Sequence, residues 1–194
     1  MREAQVNRKT KETDIEVSLK IDGKGSADVN TGIGFFDHML CGFAKHGFFD
    51  LALNCEGDLN VDGHHTVEDC GIVIGQALKE AVGDKQGMKR YGYFILPMDD
   101  ALVLCAVDFC GRPYFSWDID LKEEKCGDFE NCLAKEFFYA VSYSAGINLH
   151  IKQISGENAH HILEAAFKAF GKAVDMATTI DDRVEGVLST KGAL

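Results

Sequence analysis

The chain has 194 residues, 46% of them hydrophobic, enough to bury a core as one large domain or two small ones. Its net charge of -11 argues against a nucleic-acid or anionic-membrane surface, since both need clustered cations, and no apolar run approaches the ~20 residues of a membrane span. The opening MREAQVNRKTKETDIEV has no apolar stretch like that of a secretory signal, and the seven cysteines contain no C-x-x-C, so buried reduced thiols in a cytoplasmic protein are expected.

In chain order, DIEVSLKI (14–21) and SADVNTGI (26–33) alternate polar and apolar residues, and the DGKG between them reads as a hairpin turn. FFDHMLCGFAKHG (35–47) reads as a helix and FFDLALNCE (48–56) as an alternating strand, followed by a polar loop into His64 and His65. Val67, Ile72, Ile74 and Leu78 then recur at helical spacing. YGYFILPM (91–98), ALVLCAVDF (101–109) and RPYFSWDID (112–120) read as strands, with Asp99 and Asp100 at the first turn. FENCLAKEFFYAVSYSAG (129–146) reads as a helix, INLHIKQI (147–154) as a strand and SGENA as a loop. Ile162, Leu163, Phe167, Phe170 and Val174 mark a last helix.

This order contains a duplication. HHTVEDCGIVIGQAL aligns with HHILEAAFKAFGKAV, matching both histidines, the glutamate, Gly75 with Gly171 and Ala77 with Ala173. The expected fold is α+β, with a first repeat over 1–90 and a second over 91–194 that includes the C-terminal tail. Each repeat is a small, mostly antiparallel sheet with two helices on one face. Either half alone exposes an apolar helical layer, so the helices are expected to be sandwiched between the two sheets.

On a helix, His64 and Glu68 share a face at i,i+4, while His65 lies about 100° around and is free to serve a second centre. His160, His161 and Glu164 repeat the set, and the earlier helices add His38 and, at the equivalent place, Glu136. Two imidazoles with a carboxylate suit Mn, Fe, Co or Zn better than Ca. A lone His-His pair at a helix start is usually solvated or capping; two copies in register point to metal. The zinc-protease order HE-x-x-H is absent. A second constellation is cationic: Arg90, Arg112, Lys168 and Lys191 sit beside glycine or aromatic residues, and with Ser189 they form a candidate phosphate site. These residues alone leave open a metal-dependent hydrolase or a non-catalytic metal-storage protein.

RKTKET, GIGFFDHML, DGHHTVEDCGI, KRYGYFILPMDDAL, DFCGRPY, LHIKQISGENAHHILEAAFKAFGKA and the final STKG resemble, in order and spacing, the imidazoleglycerol-phosphate dehydratases of histidine biosynthesis, in their monofunctional form. The resemblance implies a tandem repeat of a ribosomal-protein-S5-domain-2-like unit. It also implies trimers assembled into a shell of 24 chains, active sites between subunits, and two Mn²⁺ per site. One ion would take His38, His65, His160 and Glu164; the other His64, Glu68, His161 and Glu136. Many members carry histidine where this chain has Glu136, a competent carboxylate ligand, and proline where it has Leu188. The implied reaction is a hydro-lyase elimination of water from imidazoleglycerol phosphate to imidazole acetol phosphate, through a metal-stabilised imidazolate. Glu12 is the implied acid/base, His46 lines the substrate, and Arg90, Arg112, Lys168, Ser189 and Lys191 hold its phosphate.

Overall fold

The computed structural model describes residues 2–194. The first half forms β1 (Glu3–Lys9), β2 (Thr13–Lys20), β3 (Ala27–Asn30), α1 (Gly34–Gly47), β4 (Asp50–Gly57) and α2 (His64–Val82). The second forms β5 (Tyr91–Met98), β6 (Ala101–Asp108), β7 (Tyr114–Asp118), β8 (Lys125–Cys126), β9 (Phe129–Glu130), α3 (Leu133–Ala145), β10 (Asn148–Ser155) and α4 (Ala159–Thr178). Apart from the small β8–β9 hairpin, the halves share one topology, with sheet orders β1-β2-β4-β3 and β5-β6-β10-β7. Two pairs in each sheet are antiparallel, and the last, β3 with β4 or β7 with β10, is parallel.

Strict alternation explains the sheets. In β2 the side chains of Ile15, Val17 and Leu19 are buried, and in β6 those of Val103, Cys105 and Val107, while their neighbours face outward. Helix α2 packs on β1 and β2, and α4 on β5 and β6; between the sheets α2 meets α3 and α1 meets α4. Phenylalanines join the two halves into one core. Phe36 of α1 meets Phe137 of α3 at 5.3 Å between ring centres, and Phe43 meets Phe170 of α4 at 5.2 Å. The matched glycines sit where helices touch: a Cβ on Gly75 would lie 2.8 Å from Val141 O, and one on Gly171 2.5 Å from Phe43 O.

Two expectations are corrected. DGKG does not close a hairpin: β2 pairs with β1 and β4, and β3 lies beyond β4. The loop instead carries the chain across the sheet end, held by Asp50 Oδ1, which accepts from Lys24 N and Ser26 N. The true hairpin partner, β1, is an edge strand burying only Ala4 fully, so its alternation is too weak to read. The helix expected from residue 129 begins at Leu133, because Phe129 turns into the core against Phe35 and Phe36 as part of the β8–β9 hairpin. No helix among the described residues is long and apolar enough to cross a membrane.

Candidate active site

The double histidines open helices, as their spacing requires. His64 and His65 are the first residues of α2, where Asp62 Oδ1 accepts from His64 N at 2.8 Å. His160 and His161 lie in the first turn of α4, which Asn158 caps by accepting from His161 N at 3.2 Å. Because α1 packs against α4, His38 arrives beside the second pair. His38, His160 and Glu164 bring one ligand atom each within 4.8 Å of one another, the only such group among the described residues. Glu164 Oε1 is 3.6 Å from His38 Nε2, and Oε2 is 3.2 Å from His160 Nε2. Burial would raise the Glu164 carboxyl, but the hydrogen bond and charge of Lys168, at 2.8 Å, with the charges of His38 and His160, bring it below its ordinary value.

Around α2 the matching set is looser. His64 Nε2 lies 3.8 Å from Glu68 Oε2, and Glu136 stands in the first turn of α3, the neighbour of α2. The remaining two histidines are turned to other partners. His65 Nδ1 meets Asp58 Oδ2 at 3.0 Å, and its Nε2 is 3.8 Å from Glu12 Oε1. His161 Nδ1 meets Asp100 Oδ1 at 2.7 Å, and its Nε2 is 3.5 Å from Asp99. The hydrogen bonds to Asp58 and Asp100 are the main cause that raises each imidazole above its ordinary value. Each also fixes the tautomer so that Nε2 is the free nitrogen when the ring is neutral.

Four of the five expected anion-binding residues line one cleft, where the C-terminal segment folds over Arg90 and Arg112 and brings Ser189 and Lys191 with it. Arg90 is already engaged. Its Nε and Nη2 donate to Asp108 at 2.7 and 3.0 Å, and Nη1 donates to Leu188 O at 2.8 Å. Lys168 is elsewhere, on α4 between Glu164 and Met98, and its charge, after burial, helps lower His46 below its ordinary value.

A model of the imidazoleglycerol-phosphate dehydratase family matches residues 31–174. The chain belongs to that family. A relative named imidazoleglycerol-phosphate dehydratase from Lachnoclostridium phytofermentans is 61% identical over 193 residues, covering 100% of this chain and 98% of its own. One of the same name from Acetivibrio thermocellus is 58% identical, covering 100% and 99%. Among solved structures, the dehydratase from Staphylococcus aureus superposes with a TM-score of 0.84 at 41% identity, over 92% of this chain and 99% of its own. The Pyrococcus furiosus dehydratase, solved with (S)-C348, gives 0.84 at 42% identity, over 97% and 100%.

Within this family member, one chain thus gathers His38, His160 and Glu164, and separately pairs His64 with Glu68, with Glu136 on the neighbouring helix, while His65 and His161 turn to other partners. Sequence reading missed the carboxylates behind these groups. Asp58 stood in a loop read only as polar, Asp100 was read as a turn residue, and Asp108 sat at the end of an apolar strand. Their signal is tertiary, because each meets a partner 7, 61 or 18 residues away.

Proposed function

We propose that the chain performs the reaction for which its family is named. It removes water from imidazoleglycerol phosphate to give imidazole acetol phosphate in histidine biosynthesis, with two Mn²⁺ per active site, in the cytoplasm. The observation that carries the metal reading is the cluster of His38, His160 and Glu164. Two imidazole nitrogens and a carboxylate oxygen already within 4.8 Å of one another fit a divalent ion of the manganese class. Bound there, the ion supplies Lewis acidity that stabilises negative charge on the substrate ring.

The protein's own groups do the rest. Glu12, exposed beside His65, would take the proton from the carbon that becomes the ketone and give one to the neighbouring carbon that lost its hydroxyl, so that only water leaves. Arg112, Ser189 and Lys191 offer donors for the phosphate in the cleft that Arg90 organises, and Lys168 extends positive charge toward the metal cluster with His46 beside it. Each set of ligands in one chain lacks its fourth member. His65 and His161, turned toward carboxylates of their own repeat, are the residues a neighbouring chain would receive. This supports sites shared between subunits, in trimers and a 24-chain shell. Seven free thiols support a reducing compartment.

The test is to incubate metal-stripped and Mn²⁺-reloaded protein with imidazoleglycerol phosphate, following imidazole acetol phosphate and inorganic phosphate together. Metal-dependent ketone formation without phosphate release is expected. Phosphate release without the ketone would make the site a hydrolase.

A further inference from the structure

Helix α2 carries a nearly buried carboxylate that the reaction above does not use. Asp69 follows Glu68 and is only 6% exposed. Thr13 Oγ1 donates to its Oδ2 at 2.5 Å, and Arg8 Nη1 approaches the same oxygen at 2.5 Å. Thr13 closes the tight turn between β1 and β2. Thr10 N donates to Thr13 O at 2.8 Å, and Thr10 Oγ1 accepts from Glu12 N at 3.1 Å and Thr13 N at 3.0 Å. Glu12 stands at the crest of this turn. Its carbonyl accepts from Asp58 N at 3.0 Å, and its carboxylate lies 3.8 Å from His65 Nε2.

The second repeat shows what the fold itself requires at these places. β2 and β6 begin with Thr13 and Ala101; Arg8 pairs with Ile15, the third residue of β2, as Leu96 pairs with Val103, the third of β6. Asp69 and Ala165 each follow the glutamate of their double-histidine segment. So Arg8, Thr13 and Asp69 in one repeat correspond to Leu96, Ala101 and Ala165 in the other, all three buried. The same architecture is built there with apolar side chains alone, and an ion pair with one buried partner, like Arg8–Asp69, is weak evidence of a stability role, since apolar replacements of similar volume are often neutral or better. The turn before β6 also turns a carboxylate to its histidine, Asp99 at 3.5 Å from His161 Nε2, but there Asp100 anchors the turn by accepting from Glu157 N and Asn158 N; the turn that carries Glu12 is held by Arg8, Thr13 and Asp69 instead.

We propose that Arg8, Thr13 and Asp69 act as a positioning triad that fixes the 10–13 turn on α2 and so holds the Glu12 carboxylate at the His65 imidazole. Asp69 is the centre of the triad, one helical turn beyond His65 on α2. The turn and the metal-ligand helix are thereby locked to each other, and Glu12 keeps one place relative to the substrate ring. The proposal rests on the reading of Glu12 as the acid/base.

The test is a mutant cycle on the assembled, Mn²⁺-loaded protein, reading kcat, KM, manganese per chain and particle size. Glu12→Gln alone tests the underlying reading: if it turns over like the parent, Glu12 is not the acid/base. Asp69→Asn is expected to lower kcat about 10- to 100-fold, the cost of a misplaced reacting group, with KM, metal content and assembly unchanged. Added to Glu12→Gln, it should cause no further loss. Thr13→Ser, which keeps the hydroxyl, should stay near the parent. A triple variant copied from the second repeat, Arg8→Leu, Thr13→Ala and Asp69→Ala, should assemble, bind manganese and fall to the level of Glu12→Gln. The proposal is overturned if the Asp69→Asn and Glu12→Gln losses multiply, or if Asp69→Asn sheds metal. A triple variant that keeps full turnover, or one that fails to assemble, overturns it as well.

Discussion

Gly171→Ala probes the contact that brings His38 to His160 and Glu164, the proposed metal site. Gly171 lies on α4 where it crosses α1, and an added Cβ would meet Phe43 O at 2.5 Å and Gly47 N at 3.1 Å, where ordinary contact begins at 3.4 Å. Both neighbours are backbone of α1, so no rotamer change relieves the clash, and the helices must part by about 0.9 Å at the crossing. Overpacking of this kind costs about 3 kcal/mol at its upper end. Alanine's better helix propensity returns about 1 kcal/mol. The net loss of about 2 kcal/mol lowers the melting temperature of a chain this size by roughly 4–8 °C. His38 rides on α1, with His160 and Glu164 on α4, so the 3.6 Å gap between His38 Nε2 and Glu164 Oε1 must widen as well. Calorimetry of the metal-free protein and manganese titration read the two effects. Gly34→Ala, with nothing within 4 Å of its new Cβ, is the control. If Gly171→Ala melts with that control and binds manganese like the parent, the helix crossing does not set the site.

The other predictions concern carboxylates. Asp58→Ala removes the partner of His65 Nδ1 and should weaken manganese binding about 10- to 100-fold in a chelator competition; unchanged affinity would mean that the ring needs no orienting group. Asp108→Asn removes one charge partner of Arg90, whose Nη1 holds the tail at Leu188 O. Losing a charge-assisted bond worth about 1.5–3 kcal/mol should raise KM for the phosphorylated substrate about tenfold or more, with kcat less affected. An unchanged KM would separate the tail from phosphate binding. Asp50 is held below the ordinary 3.8, first by the hydrogen bond from Lys24 N and then by that from Ser26 N. A folded value below the unfolded one stabilises above pH 3.8 and is lost as pH falls through the folded value. Asp50→Asn should therefore melt lower than the parent at neutral pH, with the gap closing in acid. A gap that is constant with pH would contradict this.

The duplication made much of the fold readable. Two copies of one pattern, each with an alternating strand before a double histidine, implied the layering and matched Glu136 of the second repeat to His38 of the first. The histidine–glutamate pairs of the candidate site were legible because helix periodicity puts His64 with Glu68, and His160 with Glu164, on shared faces. Strand β1 was not legible, since edge strands bury too little for alternation to show. The DGKG loop misled because its residues suit a hairpin as well as the crossover that Asp50 enforces. Asp58, Asp69, Asp100 and Asp108 escaped because an acidic residue in an acidic chain is unremarked until its partner is known. Asp69 had one visible signal: it replaces the alanine of the matching position in the other repeat.

In the proposed assembly each chain contributes half of two different sites, and mixing two inactive variants tests this most directly. His65→Ala damages the contribution of α2 and leaves α1 and α4 intact; His160→Ala does the reverse. Each alone should be inactive. When equal amounts are dissociated and reassembled together, about a quarter of the shared sites would combine an intact His160 with a neighbour's intact His65, restoring activity in that proportion. A mixture as inactive as its parents would place the whole site within one chain and contradict the account.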